Sequence, residues 1–315
     1  MRIVSLLPSA TETVCALGGR DDLVGRSHEC DFPPGLETVP VLTRARVGPL
    51  PSSGAIHAAV RDVLERALGV YEIDVDRLRE ARPDAIVTQD LCEVCAVSID
   101  DVRAAVARLA RRDVDVVSLH PVRLSDIWGD IGRVAVATGR ADAGRRLVGD
   151  LEGRAEAIRR SASEVRSRPT VLSIEWLDPV MIGGMWMPEL VAFAGGAPLV
   201  TRAGDHASTL TREQLAALDP DVVLVKPCGF DLARTLGELS LLREALPWRS
   251  WSAVAEGRIY VADGSAFFNR PGPRIVESLE ILAACLHPRS FAELAAKHAM
   301  NVVRLGEDLR VHPLG

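Results

Sequence analysis

The chain has 315 residues, which is enough for one large or two medium-sized domains with substantial hydrophobic cores. It is 48% hydrophobic and 25% charged, as is typical of globular proteins. The formal net charge is −6 and the basic residues are dispersed, so nothing indicates nucleic-acid binding. No stretch approaches the ~18 consecutive apolar residues of a membrane span, so we expect no membrane insertion.

The first eight residues predict a strand rather than a secretion signal. Arg2 is the only basic residue before the apolar run, and Pro8 interrupts that run before the hydrophobic region of a signal peptide develops. We therefore expect a cytoplasmic protein. A periplasmic or extracellular location would require a leader that has been removed.

The first part of the chain alternates short apolar runs with amphipathic segments. The spacing of Ser9 and Glu12 predicts a capping box at the start of the first helix. The predicted strands are 3–7, 23–26, 85–88 and 114–119, and the predicted helices are 9–17, 56–68, 75–81 and 98–112.

A segment rich in Ala, Arg, Glu and Leu follows at 124–166, with one weak point at Thr138 and Gly139. Residues 141–165 predict one helix of about 37 Å, at 1.5 Å per residue. Such a helix would form a stiff connection.

The remainder alternates again. The predicted strands are 170–176, 221–226 and 258–261. Of the predicted helices, one ends at Gly195, one starts at Thr211, and two cover 232–245 and 273–286. The tail after Pro288 is predicted to be partly helical and solvated.

Two sequence patterns occur twice. Residues 12–19 (ETVCALGG) resemble 189–196 (ELVAFAGG), and 78–87 (LREARPDAIV) resemble 215–224 (LAALDPDVVL). The repeat predicts an α/β fold of two similar lobes joined by a long helix, with a ligand bound in a cleft between them. The predicted divisions are a first lobe at 1–122, a linking segment at 123–168, a second lobe at 169–287 and a tail at 288–315.

Five motifs resemble the class III solute-binding proteins for vitamin B12 and iron siderophores. They are VSLLPSATE at 4–12, Gly25 with DFPP at 31–34, RPDAIV at 82–87, TREQL at 211–215 and NRPGPRIV at 269–276. The resemblance covers about residues 1–287. It implies two α/β lobes on a helical backbone, and a binding protein rather than an enzyme.

The resemblance also implies a metal chelate as ligand, an ABC importer as partner, and acidic docking residues on each lobe. Cobalamin or a related corrinoid is the expected chelate, and Asp76 and Glu213 occupy the docking positions. A cytoplasmic form would instead store the ligand or hand it over.

Ligands of open α/β sheets bind beyond the carboxyl ends of the strands. The aromatic content is only 4%, so a stacking surface for a corrin ring is reduced to a few residues, Phe267 among them. The predicted ligand-binding residues are His28, Glu29, Asp31, Gln89, Asp90, Glu175, Trp176, Trp186, His206, Phe268 and Arg270.

Cys92 and Cys95 have the spacing at which one loop can offer two thiolates to a metal ion. Cys30 and Cys228 are the further candidate ligands for Zn, Fe or Co. Three hypotheses therefore stand: a chelate-binding protein, a protein that binds a transition-metal ion, and an enzyme using a low-pKa cysteine with a base. Small buried cysteines in a tight turn are the alternative to all metal and redox roles.

Overall fold

The computed structural model describes residues 1–65, 70–90, 99–107 and 114–314. The chain forms two compact units, Met1–Pro51 with Ala55–Leu151, and Ser52–Gly54 with Glu152–Gly315. Cys92 and Cys95 lie outside the described residues, as does the end of the helix predicted over 98–112.

The first unit is built around a parallel sheet. Its elements are β1 (Ile3–Ser5), α1 (Pro8–Ala16), β2 (Leu23–Arg26), β3 (Thr43–Ala45), most of α2 (Ser53–Glu65), β4 (Tyr71–Ile73), α3 (Val75–Ala81), β5 (Ala85–Gln89), α4 (Ile99–Ala107), β6 (Asp115–Leu119), α5 (Leu124–Ala137) and the first part of α6 (Ala141–Ser163). The strand order is β2-β1-β5-β6, with every pair parallel. Strands β3 and β4 form a separate antiparallel pair.

The second unit contains a larger mixed sheet. Its elements are β7 (Thr170–Leu177), β8 (Val180–Ile182), α7 (Met187–Phe193), β9 (Ala197–Pro198), β10 (Ser208–Thr209), α8 (Arg212–Ala216), β11 (Val222–Val225), α9 (Leu232–Leu236), α10 (Leu239–Ala245), α11 (Ser252–Ala255), β12 (Ile259–Ala262), α12 (Ile275–Leu286), α13 (Ala292–Lys297), β13 (Val302–Leu305) and β14 (Val311–Pro313). The parallel part has the order β9-β7-β11-β12. Strands β8 and β10 extend one side in antiparallel fashion, and β13 and β14 extend the other.

The same strand order occurs in both units. In each, the first strand along the chain lies between the second and the third, and the fourth lies beyond the third. The repeated Pro-Asp motif precedes β5 in one unit and β11 in the other, and a short helix precedes each motif. The sequence repeat is thus a repeat of topology.

The cores consist of apolar strands covered by helices. In the first unit, one cluster around Ile3 and Val87 includes residues of α1 and α5, and another around Ile86 includes residues of α3 and α4. In the second unit, the strand residues pack with Trp248 and Trp251. Parallel strands that are buried on both faces are mostly apolar, as the central strand β11 is throughout.

Three predicted elements differ from the structure. Helix α1 begins at Pro8 after an N-cap at Leu7, with no side-chain cap, because proline suits the first helical turn. The helix predicted over 232–245 is two helices that stop and restart at Gly237 and Glu238. The tail after Pro288 is more ordered than predicted, since it forms α13 and two strands of the second sheet.

The buried carboxylate of Glu280 ties the tail to the rest of the second unit. It accepts hydrogen bonds from His298 at 2.8 Å, Lys297 at 2.6 Å and Arg154 of α6 at 2.8 Å. Burial alone would raise the pKa of Glu280, but these three donors outweigh it and lower the pKa to about 2. The charged form of Glu280 is therefore strongly favoured by the fold.

We expect this carboxylate to make stability depend on pH in the acid range. Because its pKa is lower in the folded chain, its contribution is complete above the ordinary pKa of 4.5 and is lost as pH falls from 4.5 towards 2. The shift corresponds to about 3 kcal/mol of unfolding free energy. Urea unfolding of Glu280→Gln should show this loss at pH 7 and a flatter profile between pH 4.5 and 2.

The exposed Glu293 of α13 supplies the matched control. Glu293→Gln should leave the unfolding free energy within about 0.5 kcal/mol of the parent at every pH. A Glu280→Gln protein with the parent's acid profile would contradict the assignment.

Candidate functional site

We call the side of a sheet at which its parallel strands end the carboxyl edge. In the first unit, β2 leads at this edge to Ser27 and His28, which are held by Thr43 of β3. The Thr43 hydroxyl accepts from the backbone N–H of His28 at 3.0 Å and lies 2.7 Å from its Nδ1. It also donates to the Ser27 hydroxyl at 3.0 Å. The imidazole of His28 therefore has a fixed orientation.

The other imidazole nitrogen of His28 is buried. Among the described residues, Nε2 has no hydrogen-bond partner, and its nearest acid is Glu29, with Oε1 at 3.9 Å. Burial lowers the pKa of His28, although the charge of Glu29 opposes the change. The neutral form of the ring is therefore favoured, with Nδ1 directed to Thr43 and Nε2 enclosed by protein.

Tyr71 is a residue of this edge that the sequence did not indicate. Its hydroxyl donates to Oε1 of Glu29 at 2.9 Å, and its ring lies 5.2 Å from the ring of His28. The only sequence signal was an aromatic residue in a short run between Gly69 and Asp74. Glu29 and Asp31, both predicted to contact the ligand, are exposed.

The ends of β5 and β6 contribute less defined groups. Gln89 is 5% exposed, and Asp90 pairs with Nδ1 of His120 at 2.7 Å.

Cys30 is 1% exposed, and its sulfur accepts a hydrogen bond from the Thr11 hydroxyl at 3.0 Å. The Cys30 thiol is thus enclosed by protein, and a metal would have to displace this packing to reach it.

In the second unit, a charged pair lies at the carboxyl edge. Lys226 follows β11 and is 1% exposed, and its Nζ donates to Oε2 of Glu175 and to Oδ1 of Asn269, each at 3.0 Å. The amide nitrogen of Asn269 donates in turn to the carbonyls of Lys226 and Gly264, at 3.2 and 2.9 Å. Those two bonds fix which end of the Asn269 amide faces the lysine.

Glu175 owes its position to an irregularity in β7. The register of β7 against β8 shifts between Ile174 and Trp176, so Glu175 is the extra residue of a β-bulge. Gly183 lies directly over the pair, because a Cβ there would be 3.2 Å from Oε2 of Glu175 and 3.3 Å from Nζ of Lys226. The Ser173 hydroxyl would be closer still, at 2.6 Å, so the packing around the ion pair favours glycine at this position.

Trp176 is the predicted aromatic residue with a partly exposed ring at this edge. Its Nε1 donates to the carbonyl of Asp178 at 3.1 Å, and its ring lies 5.3 Å from that of Phe230. The guanidinium of Arg234 lies 4.9 Å from the centre of the Phe230 ring. The sequence did not indicate Phe230 or Arg234 as neighbours of the candidate site.

Three other predicted ligand contacts are buried in the second unit. Trp186 is 6% exposed and donates from Nε1 to the carbonyl of Phe268, whose ring is fully buried. Arg270 is 8% exposed and donates to Ser265. The aromatic rings of Trp186 and Phe268 therefore pack in the core and offer no free face for stacking. Phe267 is also buried, at 8% exposed, and contacts Arg274.

His206 and Cys228 lie in loops of the second unit. His206 is exposed, next to the backbone that packs on Gly184. Cys228 is partly exposed, and its backbone N–H donates to the carbonyl of Glu175 at 3.0 Å. Within the described ranges, no three His, Cys, Asp or Glu side chains form a group that could hold a metal ion.

The two predicted docking acids occupy equivalent places in the repeat. Asp76 lies in the first turn of α3 and Glu213 in the first turn of α8, and both side chains are exposed. Asp76 pairs with Arg79 at 2.5 Å. Backbone hydrogen bonds at the helix start lower the pKa of Glu213. Both helices precede the third parallel strand of their unit.

The fold and these carboxyl edges define a two-lobed α/β solute-binding protein. Residues 3–266 match the model of the family described as "Periplasmic binding protein", so the chain belongs to that family. It is a substrate-binding protein of the ABC-transporter type. Members of the family bind solutes and are not enzymes, so the hypothesis of a cysteine-dependent enzyme is not supported.

Relatives of this chain include proteins named for cobalamin. A vitamin B12-binding protein of Vibrio cholerae is 22% identical over 285 residues, covering 89% of this chain and 86% of its own. A cobalamin-binding protein of Halobacterium salinarum is 25% identical over 292 residues, covering 91% and 69%. A periplasmic heme-binding protein of Roseiflexus sp. RS-1 has a similar structure, with a TM-score of 0.69, 21% identity and coverage of 92% and 98%.

A further property concerns membrane spans. None of the helices in the described part of the chain combines the length and the apolar character needed to cross a bilayer.

We expect the buried pair of Lys226 and Glu175 to be strongly coupled. Lys226→Met leaves the Glu175 carboxylate without its cation and should lower the unfolding free energy by about 3 kcal/mol. The double variant Lys226→Met with Glu175→Gln should recover more than half of that loss, because neither charge remains. Urea unfolding at pH 7 measures both, and additive losses in the double variant would contradict the coupling.

Proposed function

We propose that the chain binds cobalamin or a related corrinoid as a cargo ligand. The proposal is carried by the match to relatives named for vitamin B12 and cobalamin over 89% and 91% of the chain. The protein's part is to bind and release the chelate without changing it.

The groups at the two carboxyl edges suit such a ligand chemically. A corrinoid carries amide side chains around its ring, which both donate and accept hydrogen bonds. The carboxylate of Glu29 is exposed at the edge of the first sheet, and Glu175 and Trp176 are partly exposed at the edge of the second. Trp176 is the aromatic residue available to cover part of the ring. The metal chelate itself needs no protein metal site.

We expect purified protein to bind one cyanocobalamin per chain with a Kd of about 1 μM or lower, which corresponds to about −8 kcal/mol. Titration followed by the visible spectrum and by calorimetry measures the stoichiometry and affinity. Hemin serves as the comparison ligand, since the similar structure from Roseiflexus is named for heme. Metal analysis of the unloaded protein completes the experiment.

Each result has a distinct meaning. Saturation by cyanocobalamin at one per chain, with weaker hemin binding, supports the proposal. Saturation by hemin alone replaces the corrinoid with heme as the cargo. A stoichiometric Zn, Fe or Co with neither ligand bound would move the function to the cysteines at 92 and 95, which are the alternative from the sequence.

We further propose that Asp76 and Glu213 contact an ABC permease. Support comes from their equivalent, exposed positions at helix starts, one on each unit. Carboxylates exposed in a first helical turn can pair with basic groups of a partner, and at Asp76 such a group would replace or share the pairing with Arg79. The cytoplasmic location stays a prediction and bears on whether such a partner is used.

Charge reversal should separate delivery from binding. Asp76→Lys together with Glu213→Lys should reduce corrinoid uptake by cells at least tenfold, because two ion pairs become repulsive, while cyanocobalamin affinity in solution stays within about twofold. Glu293→Lys, an exposed change on α13, is the matched control. Uptake at the parent rate in the double variant would exclude docking through these acids.

A further inference from the structure

Only one of the two carboxylate oxygens of Glu175 is hydrogen-bonded within the described part of the chain. Oε2 accepts from Lys226 at 3.0 Å, whereas Oε1 has no hydrogen-bond donor from any residue in the described ranges. The side chain is 23% exposed, so Oε1 can meet a ligand. A carboxylate oxygen accepts hydrogen bonds and cannot donate them.

The surroundings of this carboxylate prevent it from turning. The ammonium of Lys226 is buried, and it donates a second hydrogen bond to Oδ1 of Asn269. Asn269 in turn is held by two backbone carbonyls, as described above. The β-bulge fixes the backbone of Glu175, and Gly183 closes over the pair. Rotating the carboxylate would leave a buried cation unpaired, which is costly.

We infer that Glu175 determines which peripheral groups of a ligand are accepted, with Lys226 as its positioning residue. A neutral amide can donate a hydrogen bond to Oε1. A ligand carboxylate at the same place cannot donate and is repelled by the charge. The edge of the second sheet therefore selects chelates with amide side chains over chelates with carboxylate side chains.

The inference rests on the proposed function and deepens it. Corrinoids carry peripheral amides, whereas heme carries two propionates, so the same carboxylate favours one tetrapyrrole class and disfavours the other. Discrimination of this kind depends on a repulsive element as much as on an attractive one. Glu175 supplies both through one atom.

The test compares cyanocobalamin with its monocarboxylic acids, in which one peripheral amide has been hydrolysed, and with hemin. The isomer whose altered group meets Glu175 should bind the parent protein at least about tenfold more weakly than cyanocobalamin does. In Glu175→Gln, cyanocobalamin binding should weaken about threefold and binding of that acid should tighten, because a glutamine amide can donate to a carboxylate. The preference should then fall below about threefold.

Two further variants serve as controls for folding and for specificity. Lys226→Met with Glu175→Gln removes both charges, so it avoids the unpaired buried ammonium and should show the same loss of preference if the single variant does not fold. Glu256→Gln removes an exposed carboxylate of the same unit before β12, at the opposite edge of the sheet, and should keep the parent preference.

The outcomes distinguish the inference from the proposed function. If the parent binds cyanocobalamin and every monocarboxylic acid equally, or if the preference survives in folded Glu175 variants, the inference is wrong and corrinoid binding stands. If the parent binds hemin tightly and no corrinoid, both are wrong. Loss of the preference in the Glu175 variants but not in Glu256→Gln supports the inference.

Discussion

The second unit depends on one electrostatic constraint, the burial of a lysine ammonium at the end of a central strand. A charge in that position requires an opposite charge and further acceptors within hydrogen-bond reach. Glu175 and Asn269 meet the requirement, and two glycines make room for them, since a side chain at Gly183 or Gly264 would collide with the pair or with the adjoining backbone. The bulge in β7 then brings the glutamate to the edge. The buried ammonium of Lys226 thus determines where the Glu175 carboxylate lies at the carboxyl edge.

The duplicated pattern in the sequence anticipated much of the fold. Apolar runs before and after Pro-Asp predicted the third parallel strand of each unit, and β5 and β11 lie there. Helix 75–81 was predicted to the residue, because Asp74 caps it and its apolar positions have helical spacing. The extent of the second sheet was not predictable, since β8, β10 and β14 are too short to give a periodic signal. The break at Gly237 was hidden within an apolar helical pattern.

The candidate site was less predictable than the fold, for a physical reason. Strand ends marked Glu175 and His28, because polar residues follow apolar runs there. The partners of these residues come from distant positions: Lys226 was counted as the end of a strand, and Tyr71 lies 42 residues from Glu29. Trp186 and Phe268 gave the opposite error, since an aromatic residue near a glycine pair or a loop motif has the same sequence signal whether its ring is buried or free.

The strands formed by the tail also bear on the solubility of the second unit. Strand β12 is apolar and fully buried, and β13 pairs along its entire length. A chain shortened to end near Pro288 would leave β12 paired with β11 but unpaired on its other side, as an apolar edge on which another copy could add a strand. In the described chain the outer position belongs instead to β14, which is three residues long and ends in proline. By covering the edge of β12, the tail thus prevents other copies from adding strands to the sheet.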